Sequence, residues 1–97
     1  MLFSDIKKIL SDAQIVGKLN KKRIKYITDH SKNTNQNTLL VVDKNRDFKQ
    51  NYIIQSISKG LNTIITNSYF KNIPITQIVV KDLNKDVLKI LKLNQPF

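Results

Sequence analysis

The sequence predicts an α/β fold: a small mixed or parallel sheet of about four to five strands with helices on its faces. Three observations lead there. Two short buried strands, residues 39–42 and residues 62–66 with Ile64 and Ile65, flank a helical stretch of about ten residues. Strand–helix–strand alternation of this kind is the βαβ pattern, and residues 39–66 form one right-handed crossover. The first of the two strands is also apolar without a break (Leu39, Leu40, Val41, Val42), which suits a strand covered on both faces.

In chain order, residues 4–12 read as a short helix. Ser4 caps it, Asp5 sits in its first turn, and Ile6, Ile9 and Leu10 form an i, i+3, i+4 stripe. Residues 13–16 form a short strand ending at Gly17, and residues 18–23 a basic turn. Ile24, Tyr26 and Thr28 alternate, so residues 23–28 form a strand. The polar stretch 29–38 is a loop rich in Asn and Thr. After strand 39–42, residues 49–59 place Tyr52, Ile53, Ser56 and Ile57 on one helical face, and Gly60 caps the end. Residues 62–66, with Ile64 and Ile65, are the next strand. Asn72 and Pro74 mark 68–75 as a loop, and 77–81 is a further apolar strand. The last helix covers 84–93. Asp86 lies in its first turn, Val87, Leu88 and Leu91 line its inner face, Ile90 widens that face, and Pro96 closes it.

The 97 residues make one domain. At 40% hydrophobic residues the chain can build a core, so it is no disordered basic tail. It has no cysteine and a single histidine, His30, which argues against disulfides and a thiolate or His-rich metal site. No apolar run approaches the roughly 18 residues of a membrane span. Asp5, Lys7 and Lys8 interrupt any signal-peptide core. A cytoplasmic domain with no membrane partner is the expectation.

The net charge of +10 attracts anions. Fifteen of the 17 basic residues are Lys, Glu is absent, and Lys, Asn and Ile make up 40 positions. An AT-rich coding sequence produces that bias, and bidentate phosphate recognition favours Arg, of which there are two. The basic residues are therefore expected to be spread over the surface. A groove gathering most of Lys18, Lys21, Lys22, Arg23, Lys25 and Lys32 beside exposed aromatics would favour nucleic acid instead.

Catalytic motifs are few. With only Gly17 and Gly60, no Gly-rich phosphate loop, dinucleotide fingerprint or nucleophile elbow exists. His30 and Ser31 are adjacent but lack a third group. Asp43, Asp47, Asp82 and Asp86 sit near element ends, where capping explains them. Two loops stand out, 29–37 after one strand and 43–50 after the next, because open α/β sheets bind ligands beyond the carboxyl ends of strands. Lys44, Asn45, Arg46 and Lys49 precede a helix N-terminus that favours an anion such as a diphosphate. A solvated basic loop is the alternative.

The order Ile27-Thr28-Asp29-His30-Ser31-Lys32, then Leu39-Leu40-Val41-Val42, then the helix from Tyr52 to Gly60, then Ile78-Val79-Val80-Lys81-Asp82 resembles the N-terminal domain of the Mur ligases. Within that family it is most similar to the UDP-N-acetylmuramoyl-tripeptide synthetases. The family's segments read approximately I-T-x-D-S-R, x-F-V-A, A-x-x-x-G-A and I-V-V-x-D, and the likeness runs from about residue 24 to 97.

The resemblance implies that this domain holds the UDP part of a UDP-N-acetylmuramoyl-peptide. It also implies that ATP and Mg²⁺ act in a central domain this chain lacks, so the chain alone ligates nothing. It carries the uridine-site serine to Ser31 and the diphosphate loop to Asn45 and Arg46, with Thr28, Lys32 and Lys44 in support. Lys32 replaces the family's Arg, His30 the Asp of D-S-R, Gln36-Asn37-Thr38 its P-G-D, and Phe48-Lys49-Gln50 its D-G-H. Two alternatives stand beside this reading. One is the equivalent domain of the related ligase that adds the terminal dipeptide. The other is a small basic nucleic-acid-binding module, against which the scarcity of Arg and aromatics counts.

Overall fold

The computed structural model describes residues 1–30, 32, 34–46 and 50–94. A 3₁₀ turn, Phe3–Asp5, runs into α1 (Ile6–Ile9), followed by β1 (Gln14–Val16), β2 (Tyr26–Thr28), β3 (Thr38–Val42), α2 (Gln50–Ser58), β4 (Thr63–Thr66), β5 (Thr76–Val79) and α3 (Leu83–Asn94). The five strands form one mixed sheet in the order β1-β5-β4-β3-β2. β1 is antiparallel to β5, and the remaining neighbours are parallel. The expected α/β class, strand number and single sheet all hold.

Side chains alternate across a strand, so the central strands feed two cores. Leu39, Ile65 and Ile78 pack on one face with Phe3, Ile6 and Leu10 from the N-terminal turns and Leu83 and Ile90 from α3. Leu40, Val42 and Ile64 pack on the other with Ile53 of α2, Leu61 and Ile73. Burial on both faces is why residues 39–42 read as a continuous apolar run. Gln77 is buried yet fully used: its Nε2 donates to the Phe70 carbonyl at 2.8 Å and its Oε1 accepts the Phe70 N–H at 2.9 Å. That pins the β4–β5 connection to the sheet.

Both glycines have positive φ. Gly60 (φ 106°) ends α2 in a Schellman motif, with Leu61 N–H donating to the Ser56 carbonyl and Gly60 N–H to that of Ile57. Gly17 (φ 104°) lies against β5, where an added Cβ would stand 3.0 Å from Thr76 Oγ1 and 3.1 Å from Thr76 Cα.

Several expectations need correction. The first helix stops at Ile9 rather than residue 12, because Leu10 leaves helical geometry and its carbonyl accepts the Ala13 N–H, turning the chain into β1. Ser4 does not cap it; the Asp5 carboxylate accepts the Leu2 N–H at 2.9 Å. β2 begins at Tyr26, not residue 23, because the Ile24 N–H donates to Met1 O and its side chain enters the first core. On α3 the inner face is Leu83, Val87 and Ile90, at i, i+4 and i+7, while Leu88 is 56% exposed. Ile53 and Ser56 are the buried residues of α2, and Tyr52 is exposed. Pro96, Asp47, Phe48 and Lys49 lie outside the described residues.

Candidate functional site

Because β2 and β3 are parallel and adjacent, the loops that follow them leave the same edge of the sheet side by side. Arg46 joins them: its Nη1 donates to Asp29 Oδ2 at 3.0 Å. His30 Nε2 stands 3.4 Å from the other Asp29 oxygen, and the His30 N–H donates to Thr28 Oγ1 at 3.0 Å, holding the turn out of β2.

The loop after β3 is shaped by its own carboxylate and by β4. Asp43 Oδ1 accepts the Asn45 N–H and the Asn67 side-chain amide, each at 2.9 Å. Asn67 Oδ1 in turn accepts the Lys44 N–H at 2.9 Å, and the Arg46 N–H donates to the Asp43 carbonyl at 3.2 Å. The Asn45 N–H, then the Asn67 amide, hold the Asp43 carboxyl below its ordinary value of 3.8, and the Arg46 and Lys44 charges add to this. Sequence reading missed Asn67. Its signal was an Asn one residue past a strand, a type whose side chain bonds nearby backbone.

Two hollows flank the β2–β3 edge, one on each face. On the α3 face, a crevice of about 530 Å³ has an apolar floor of Ile27, Val41, Val87 and Leu91. Thr28, Asp29, His30, Asp43, Arg46 and Asn84 form its polar rim. On the α2 face lies a larger groove of about 1280 Å³, walled by β2, α2 and the loop after β2. Tyr26 and Thr28 belong to that face because they pair in register with Thr38 and Leu40, and Leu40 packs under α2.

The residues singled out from sequence divide between these places. Arg46 lines the crevice, and Thr28 lines both hollows. Lys44 and Asn45 are exposed in the adjoining loop, with their backbone N–H groups committed to Asn67 and Asp43. Lys32 lines the groove on the opposite face, not the crevice. Ser31 lies outside the described residues. Asp82 is the α3 cap, its Oδ1 accepting the Lys85 N–H at 3.2 Å. Of the six basic residues from Lys18 to Lys32, only Lys25 and Lys32 line the groove. No three His or Asp side chains gather as a metal-ligand set among the described residues, and no described helix is long and apolar enough to cross a membrane.

No known family profile and no curated protein matches the sequence. The solved structures do offer a match, the crystal structure of MurF from Acinetobacter baumannii, with a TM-score of 0.72 over 91% of this chain at 17% identity. The chain shares its fold with part of a Mur ligase. It spans about a fifth (19%) of the length of MurF. The likeness covers the sheet and its flanking helices, so the Mur-like arrangement expected from the order of short motifs is real at the level of fold.

Proposed function

We propose that this chain binds the UDP moiety of a UDP-N-acetylmuramoyl-peptide, as the N-terminal domain of a peptidoglycan-precursor amino-acid ligase of the tripeptide-synthetase type. One observation carries the reading. The Arg46 guanidinium bridges the two strand-end loops at the mouth of a crevice with an apolar floor and a polar rim.

Such a crevice suits a nucleotide. Its volume of about 530 Å³ falls within the range of roughly 300–1,000 Å³ common for ligand sites. The uracil ring lies on Ile27, Val41 and Leu91. Arg46 exchanges the Asp29 carboxylate for the diphosphate, because a guanidinium fork matches phosphate oxygens as well as it matches a carboxylate. Lys44 and Asn45 approach the diphosphate from the same loop. Thr28 supplies a hydroxyl from the other loop, and the family resemblance assigns a second hydroxyl to Ser31. ATP and Mg²⁺ act elsewhere in the parent ligase, in the cytoplasm, and the residues of this chain only hold and orient the nucleotide end. The reading applies equally to the ligase that adds the terminal dipeptide, whose domain shares the residue order.

Titration of the labelled protein with UDP tests this. Amide shifts at Arg46, Asn84, Val87 and Leu91 are expected. Shifts mapping elsewhere, or none at millimolar UDP, would overturn it.

A further inference from the structure

The α2-face groove has a chemistry that the strand-end crevice lacks. Three ammonium groups reach its rim from three separate elements: Lys25 just ahead of β2, Lys32 in the loop after β2, and Lys59 just past the end of α2. Lys59 Nζ donates to the Lys32 carbonyl at 2.9 Å, which fixes its ammonium over the groove. An ammonium has three donors, so two remain for a ligand. The one carboxylate among the described lining residues, Asp29, is already engaged by Arg46. Among the described residues the rim is therefore net positive, whereas the crevice sets Arg46 against both Asp29 and Asp43.

Two aromatic rings line the same groove. Tyr26 from β2 is 53% exposed and Tyr52 from α2 is 45% exposed. The core on this face is built from Leu40, Val42, Ile53 and Ile64 without them. Gln55, at i+3 from Tyr52 on α2, adds an amide that both donates and accepts. Exposed rings beside cations are the elements with which proteins hold a stacked base and its phosphate.

We propose that this groove, which meets the crevice at β2 and β3 but adds cations and rings that the crevice lacks, is a second ligand site for a planar base carrying phosphate. The base stacks on Tyr52, beside Gln55 on the same helix, and Lys59 and Lys25 pair with the phosphate. Stacking accepts any base, so a purine separates this site from a uridine site. At about 1280 Å³ the groove exceeds the usual volume for one small ligand, so the base can belong to a free nucleotide or to a single strand.

The test is a chemical-shift titration of the whole chain at low salt with ADP, a short adenylate oligomer and inorganic pyrophosphate. ADP is expected to move Tyr52, Gln55 and Lys59 and to leave Asn84, Val87 and Leu91 in place. Tyr52→Ala, at an exposed position that leaves the fold intact, is expected to weaken ADP roughly fivefold or more, on the scale of one lost base–aromatic stack. Equal affinity for ADP and the oligomer identifies a free nucleotide as the source. An oligomer bound tenfold or more tightly identifies a strand. The proposal is overturned by shifts confined to the crevice, by no shifts at millimolar ADP, by pyrophosphate matching ADP, or by Tyr52→Ala without effect. UDP binding is read at Asn84, Val87 and Leu91, so either site can fail without the other.

Discussion

Arg46 Nη1 lies 3.0 Å from Asp29 Oδ2, so one ion pair ties the loop after β3 to the loop after β2. The pair is solvent-exposed and holds the only guanidinium at the crevice mouth in a ready position. Its partner is a carboxylate that the proposed diphosphate would have to displace.

This sets opposite expectations for the two residues. Arg46→Ala should weaken UDP binding about tenfold, the scale of a charge-assisted hydrogen bond. Asp29→Asn should strengthen it by roughly threefold, because a displaced negative charge next to the diphosphate is gone. Neither should change unfolding free energy by more than about 1 kcal/mol, as exposed ion pairs contribute little. Calorimetric titration and urea unfolding of the two variants check both.

Asn67→Ala removes the amide that joins β4 to the loop after β3. Two hydrogen bonds go with it: the one that Asn67 Oδ1 accepts from the Lys44 N–H and the one that Asn67 Nδ2 donates to Asp43 Oδ1. A loss of about 1–3 kcal/mol is expected from two net hydrogen bonds. The Lys44 amide should exchange with solvent faster than in the parent protein, which hydrogen-exchange NMR measures directly. Unchanged exchange there would show that the loop keeps its shape without Asn67.

Asp43 makes the stability pH-dependent in a definite direction. Its folded-state carboxyl is lowered from 3.8, chiefly by the Asn45 N–H and the Asn67 amide. A depressed carboxylate stabilises the fold fully above its unfolded value, and that contribution is lost as pH falls through the folded value. Stability should therefore decline below about pH 4, near the unfolded reference value. Asp43→Asn should flatten part of that decline. The Asp43 titration followed by NMR should move back up toward 3.8 in Asn67→Ala.

The two glycines should respond differently to alanine. At Gly60 an added Cβ meets nothing nearer than 3.4 Å, so Gly60→Ala carries only the left-handed backbone cost of about 1–2 kcal/mol. At Gly17 the same backbone cost is joined by a 3.0 Å contact with Thr76, whose Oγ1 donates to the Lys18 carbonyl. Gly17→Ala should be the more destabilising of the two, with thermal or urea unfolding as the measurement. The reverse order would mean that β1 and β5 separate easily at that end.

The sequence by itself determined the sheet. Leu39–Val42 and Ile64–Ile65 are apolar on both sides of the strand, and that pattern has no stable home except between two packed layers. Gly60 determined where α2 stops, since its left-handed φ admits little else. The same reading put the two candidate loops after two strands, and the sheet then made those strands parallel neighbours. Tertiary structure decided the rest. Leu88 stands about 200° around α3 from Ile90, so the two cannot share a face, and the seating of Leu83 in the first core decides which of them is buried. Ile24 reads as part of a strand, yet long-range pairing with Met1 takes it out of β2. Asn67 holds Asp43 and Lys44 across 24 and 23 positions, and Lys59 reaches Lys32 across 27. Lys32 and Arg46 looked like parts of one anion site and stand on opposite faces of the sheet. Contacts that distant depend on how whole layers pack, and periodicity within a window of ten residues carries no trace of them.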